Sequence, residues 1–169
     1  TGYSRDIRFR LVCNNAAEST VLAVQTVVAG QPIQDEPMPD LQTLQYYQQR
    51  VSDVSQRYDA VASPLAGWFR MAFADGSRIL DVGCGSGRDL RALLDAGYDA
   101  WGVEPVAAMN EQAVQKYPQL AGRITTMALP DIHFEQPFDG ILCSAVLMHI
   151  PTGEQLEAFI NLRDLLKTG

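Results

Sequence analysis

The chain has 169 residues, 47% of them hydrophobic and 20% charged, with a net charge of −7. That length and composition suit one globular domain with a real core. No apolar run nears the ~20 residues of a membrane span, and the acidic balance argues against a nucleic-acid partner, which needs clustered Lys and Arg. No basic then apolar opening segment marks a signal peptide, and Thr1 is not an initiating residue, which leaves room for residues upstream. The three cysteines, Cys13, Cys84 and Cys143, are odd in number, far apart and without a C-x-x-C pair. They read as reduced, buried thiols in a cytoplasmic protein, with no metal site.

Along the chain, Ile7, Phe9, Leu11 and Cys13 alternate with Arg8, Arg10 and Val12, the pattern of a half-buried strand. Ala16 to Val28 supports two readings. Ala17, Val21, Val24 and Val28 have helical spacing, with Asn15 and Glu18 as a capping pair and Gly30 as a stop. The β-branched content favours a strand, and with the preceding segment a hairpin. Gln31 to Pro39 carries three prolines between acids and reads as a linker. Residues 1–39 thus form an N-terminal strand-containing segment and linker, and residues 40–169 the main domain. Asp40 caps an amphipathic helix reaching Ala62, whose stripe is Leu41, Leu44, Tyr47, Val51, Val54, Tyr58 and Val61. Ser63 and Pro64 start a short helix, in which Leu65, Trp68, Phe69, Ala72 and Phe73 supply apolar contacts.

Arg78 to Pro105 organises the rest. Ile79, Leu80 and Val82 suit a buried parallel strand. Gly83, Cys84, Gly85, Ser86 and Gly87 turn the chain, leaving room for a ligand to approach bare backbone. Leu90, Leu93 and Leu94 then mark a helix that stops at Gly97, and Ala100 to Val103 make the next strand with Glu104 at its carboxyl end. In open α/β sheets that end is where ligands bind. A glycine turn with an acid ~20 residues on is also the dinucleotide signature. Against it, the third glycine of G-x-G-x-x-G falls at Arg88, and Asp81 would set a negative charge beside a pyrophosphate.

The run Asp81-Val82-Gly83-Cys84-Gly85-Ser86-Gly87 resembles the first motif of class I S-adenosylmethionine-dependent methyltransferases. The resemblance implies a ligand with a cationic sulfonium and ammonium, suited by local carboxylates. It implies that Asp81, Gly83, Cys84, Gly85 and Ser86 hold it, that Glu104 takes the two ribose hydroxyls and that Arg88 meets the methionine carboxylate. In such enzymes a helix before the first strand covers the cofactor. By that resemblance residues 40–62 form a lid, with Tyr46, Tyr47 and Tyr58 toward the acceptor pocket.

Val106 to Tyr117 reads as a helix with Ala108, Met109, Ala113 and Val114 on its apolar face, and Arg123 to Ala128 as a strand. Many relatives carry an acid after that strand for the adenine amino group. Here Thr126 and Met127 stand there instead, with Asp131 several residues later. Phe138 to Pro151 resembles the family's fourth strand and the turn after it, with Ser144 and Ala145 at the strand's carboxyl end. Ser144 lines the site on that resemblance. His149 is the better candidate for a general base, because it sits at the catalytic edge and titrates near neutrality; His133 lies in a polar loop. Thr152 caps the last helix, whose core face reads as Leu156, Phe159, Ile160, Leu165 and Leu166.

The expected fold is α/β, a Rossmann-like methyltransferase core. Its sheet is mainly parallel and flanked by helices, and it lacks the usual C-terminal strands. The expected function is methyl transfer from S-adenosylmethionine to a small-molecule acceptor, without a nucleic-acid or membrane partner. The alternatives are a non-catalytic binding or scaffold module and an NAD enzyme. An uncovered fourth strand would invite association, so that edge is expected to be covered by Ile7–Cys13 or by a second chain, as in a homodimer.

Overall fold

The computed structural model describes residues 63–168, together with the backbone of residues 6–13 and 20–27. The expected helix over residues 40–62 and the linker before it lie outside the described residues. Among the described residues no helix is long and apolar enough to cross a membrane.

Six strands form one sheet, in the order β1 (Asp6–Cys13), β2 (Thr20–Val27), β6 (Gly140–Ser144), β3 (Arg78–Val82), β4 (Asp99–Val103), β5 (Ile124–Thr125). The pairs β2–β6, β6–β3, β3–β4 and β4–β5 are parallel, and only β1–β2 is antiparallel. From β3 the chain steps outward through β4 to β5, then crosses to the other side of β3 as β6. The carboxyl ends of β3 and β6 therefore flank a switch point, where a crevice opens in such sheets.

Alternation along β3 divides the core. Ile79 packs with Leu65, Phe69, Phe73, Leu90, Leu93 and Leu142 on one face. Leu80 and Val82 pack with Val103, Ile132, Phe138, Ile141 and Leu162 on the other. The first face is covered by the short helix α1 (Phe69–Ala72) and by α2 (Arg88–Asp95). Ser63 caps the turn before α1 as expected, its Oγ accepting the Leu65 and Ala66 amides at 3.2 Å. Trp68 is 42% exposed rather than packed inward, because it ends a 3-10 turn whose inner positions go to Leu65 and Phe69.

Helix α3 (Ala107–Lys116) buries Met109 and Ala113, while Ala108 faces out. The third parallel strand is far shorter than Arg123 to Ala128. Only Ile124 and Thr125 pair, opposite Gly102 and Val103, because β4 ends there and offers no further partner.

Helix α4 (Gln155–Asp164) corrects the sequence reading in two ways. Its N-cap is Glu154, which makes no side-chain capping bond, and not Thr152. Its buried positions are Ala158 and Leu162, followed by Leu165 and Leu166, whereas Leu156, Phe159 and Ile160 are exposed. Asn161 sets that rotation: its Nδ2 donates to the Ile132 carbonyl at 2.7 Å and its Oδ1 accepts the Ile132 amide at 3.1 Å. Two satisfied backbone groups in a half-buried loop outweigh the gain from turning the bulkier stripe inward.

The N-terminal segment resolves as the hairpin, with Cys13 opposite Thr20 and Asp6 opposite Val27. The edge of β6 is filled by β2, with Thr20 opposite Gly140 and Val24 opposite Ser144. The Ile7–Cys13 segment lies one strand further out, so the strand expected at that edge was the wrong half of the hairpin. With β2 in place, the bare β6 edge that called for a second chain does not exist.

Candidate functional site

The turn after β3 is drawn over the end of β4 by two bonds, the Gly83 and Cys84 amides donating to the Val103 carbonyl at 2.8 and 3.0 Å. This brings Glu104, the next residue, under the turn. Its Oε2 accepts the Gly85 amide at 3.1 Å and its Oε1 the Val106 amide at 3.0 Å. Glu104 therefore ties three things together: the turn, the end of β4 and the entry to α3. Each carboxylate oxygen retains a further lone pair for an incoming hydroxyl. Gly85 sits at φ 53°, a left-handed conformation that an L-residue adopts only with strain. Burial pushes the Glu104 carboxyl above its usual range, against the pull of its two backbone bonds.

Asp81 is 3% exposed, and among the described residues its Oδ2 has no hydrogen-bond partner. Its carboxyl is pushed well up, first by burial and then by the nearby Asp89, with Glu104 adding to the effect and Arg88 and the Leu90 amide opposing it. A buried polar atom left unpaired costs stability, and in a native fold it asks for a reason.

The reason offered by the geometry is a cavity. Its volume of about 190 Å³ compares with roughly 10–15 Å³ for one water, so it has the size for a ligand rather than that of a packing defect. Of the residues singled out in the sequence, Asp81, Gly83, Cys84, Gly85, Ser86, Arg88, Glu104, Met127, Ser144 and His149 all line it. Thr126 does not. It is exposed beside the cavity, its hydroxyl accepting from Asn110 Nδ2 at 2.9 Å, because the strand ends one residue before it.

Arg88 is engaged with its neighbour, Nε donating to Asp89 Oδ1 at 3.2 Å and Nη2 to Oδ2 at 3.0 Å. The fixed charges around the cavity are thus mostly negative. His149, in the 3-10 turn Leu147–His149 after β6, is half-buried, and desolvation lowers its pKa. It enters neutral pH as the uncharged base. The thiols of Cys84 and Cys143 are held protonated, since burial pushes Cys143 up to about 12 and Cys84 well up. His133 is exposed, its ring near the Asp131 carbonyl.

The sequence reading missed several lining residues: Asp89, Met109, Leu129, Ile132, Val146 and Ile150. Met109 had a signal, its place on the apolar face of α3 in the first turn after Glu104. Ile132 had none, because it lies in a loop whose path only the tertiary packing sets.

A family described as methyltransferase domain matches residues 79–169 of this chain. An uncharacterized methyltransferase of Geobacillus thermodenitrificans is 28% identical over 132 residues, 76% of this chain and 57% of the relative. One of Anoxybacillus flavithermus is 30% identical over 97 residues, 56% of this chain and 44% of the relative. The chain therefore spans about half the length of these curated relatives. Among solved structures, Burkholderia thailandensis 1,6-didemethyltoxoflavin-N1-methyltransferase superposes with a TM-score of 0.64 at 16% identity, covering 93% of this chain and 68% of that one. A TehB-like SAM-dependent methyltransferase of Corynebacterium glutamicum gives 0.59 at 23% identity, covering 70% and 67%. At such identities the likeness is one of fold.

Proposed function

The chain belongs to the methyltransferase-domain family, and from that membership we propose that it binds S-adenosylmethionine in the cavity at the β3–β6 switch point and transfers its methyl group to a small-molecule acceptor. One observation carries the reading: a buried, unpartnered carboxylate oxygen of Asp81 in a cavity that also presents Glu104 and a turn short of side chains. The donor's ammonium supplies the missing partner for Asp81 Oδ2. Glu104 keeps lone pairs for two ribose hydroxyls while it stays bonded to the turn. Met127 offers an apolar wall to the purine, in place of the acid that the family often carries, and Thr126 supports the loop through Asn110. Arg88 reaches the methionine carboxylate if it shares its charge with Asp89.

Bound there, the donor supplies an electrophilic methyl carbon on sulfur, which needs no further activation. What remains for the protein is to align the acceptor, hold it close and exclude water. Ser144 and His149 line the side of the cavity given by β6. An uncharged His149 is ready to take a proton from an acceptor that carries one. A cytoplasmic setting goes with this reading.

Calorimetric titration with S-adenosylmethionine, S-adenosylhomocysteine and NAD tests it. Binding of the first two and not the third is expected. Binding of NAD alone would favour the dinucleotide enzyme, and binding of none would favour a scaffold module that keeps the fold without its ligand.

A further inference from the structure

Among the described residues, Ala145 is the one non-glycine with positive φ, at 56°. An L-residue there crowds its Cβ against the following carbonyl, and alanine has no polar side chain to compensate. Such strain persists where the surroundings over-determine it, and it gathers at functional sites. Ala145 follows Ser144, and both line the cavity.

The surroundings are specific. Val146, the next residue, sets its Cγ2 where a Cβ on Gly83 would stand, so that the two groups could not coexist. Val146 also packs on the core cluster beneath β6. Its carbonyl accepts the His149 amide at 2.9 Å, so the turn bearing His149 hangs from it. The paired ladder between β3 and β6 ends at Val82 opposite Cys143. Past that point the two chains diverge, one into the glycine turn and one into the Ala145 bend, and the Val146–Gly83 contact spans the crevice between them.

We propose that Val146 is a positioning residue for the donor site. Forced inward by the bend at Ala145, its isopropyl group seats in the hollow left by Gly83 and holds the glycine turn at a set distance from the wall that carries His149. Gly83 is then glycine for two reasons, its φ of 69° and the valine that occupies its Cβ position. The inference rests on the reading that the cavity takes S-adenosylmethionine, and it adds a residue from the opposite wall to those that hold the ligand.

Calorimetry with S-adenosylhomocysteine, together with thermal melting, tests it on Val146→Ala, Val146→Ile, Gly83→Ala and the double variant Gly83→Ala/Val146→Ala. Loss of the seated methyls in Val146→Ala is expected to weaken binding about ten-fold while cooperative melting is kept, since displacements of an ångström or less are felt at such sites. Val146→Ile, which keeps both branches at Cβ, binds within about two-fold of the parent on the same ground. Gly83→Ala melts lower and binds poorly, and the double variant recovers about ten-fold in affinity over it, along with part of the melting temperature, because the collision is gone. Wild-type affinity in Val146→Ala, an equal loss in Val146→Ile, or a double variant no better than Gly83→Ala would each overturn the proposal. If the parent protein binds no S-adenosylhomocysteine, the donor reading fails and takes the positioning role with it. The melting temperatures of the Gly83 pair then still report whether the contact exists.

Discussion

A buried carboxyl oxygen with no partner destabilises the fold that contains it, and Asp81 has one such oxygen among the described residues. Its pKa is raised by burial, then by Asp89, which gives a definite sign. Asp81's own contribution to stability is therefore fullest below the ordinary carboxyl pKa of about 3.9. The protein loses that increment as pH rises through the higher folded value, because the folded state holds the proton longer than the unfolded one. Asp81→Asn is therefore expected to raise the melting temperature of the empty protein at neutral pH by several degrees, for a gain of about 1–3 kcal/mol. The same change weakens S-adenosylmethionine binding. A cation bound beside Asp81 favours its ionised form, so binding is expected to lower its pKa and release a proton. Titrations in buffers of differing ionisation heat should show proton release that vanishes in Asp81→Asn, and a constant heat across buffers would separate Asp81 from the ligand. Glu104→Ala strands the Gly85 and Val106 amides and removes the ribose acceptor, so affinity should fall by about 1–3 kcal/mol. Unchanged affinity would take Glu104 out of the site. Asp81 and Glu104 were legible in sequence because they belong to one β3–α2–β4 unit, whereas Val146 comes from the bend after β6, some sixty residues away in sequence, and had no local signature.

Among the elements, the helices and strands flanking the glycine turn follow their hydrophobic periods closely: α2 buries Leu90 and Leu93, and β3 buries Ile79 to Val82. Helix α4 does not. Its sequence carries two apolar stripes, and a period of 3.6 cannot choose between them; the two Asn161 bonds to Ile132 do. Leu156→Glu, on the rejected stripe, should leave stability within about 0.5 kcal/mol, while Leu162→Ala should cost about 2–5 kcal/mol. Denaturant melts of both variants check this, and equal losses would mean that the exposed stripe is covered by something else. Thr126 shows the same limit at a strand end. Its type and place suited a ligand contact, but pairing in β5 stopped at Thr125 and left it outside the cavity.

At the scale of the molecule, the strand beside β6 comes from the N-terminal side of the chain. The hairpin of residues 6–27 lies where, in a chain of this fold, strands after α4 would be expected, with β2 parallel to β6 and β1 antiparallel beyond it. Removing residues 1–28 should bare the backbone groups of β6, lower the melting temperature and promote self-association. Sedimentation of that variant as a stable monomer with parental melting would show that β2 contributes nothing to the sheet. The sequence by itself determined the turn with Asp81 before it and Glu104 after it, because both belong to one β–α–β unit whose strands pair in parallel and so end at one edge of the sheet. The tertiary structure alone decided which half of the hairpin meets β6, which stripe of α4 turns inward and how Val146 reaches Gly83. Each depends on a partner distant in sequence, and residue order along the chain carries no record of that partner's shape or unmet hydrogen bonds.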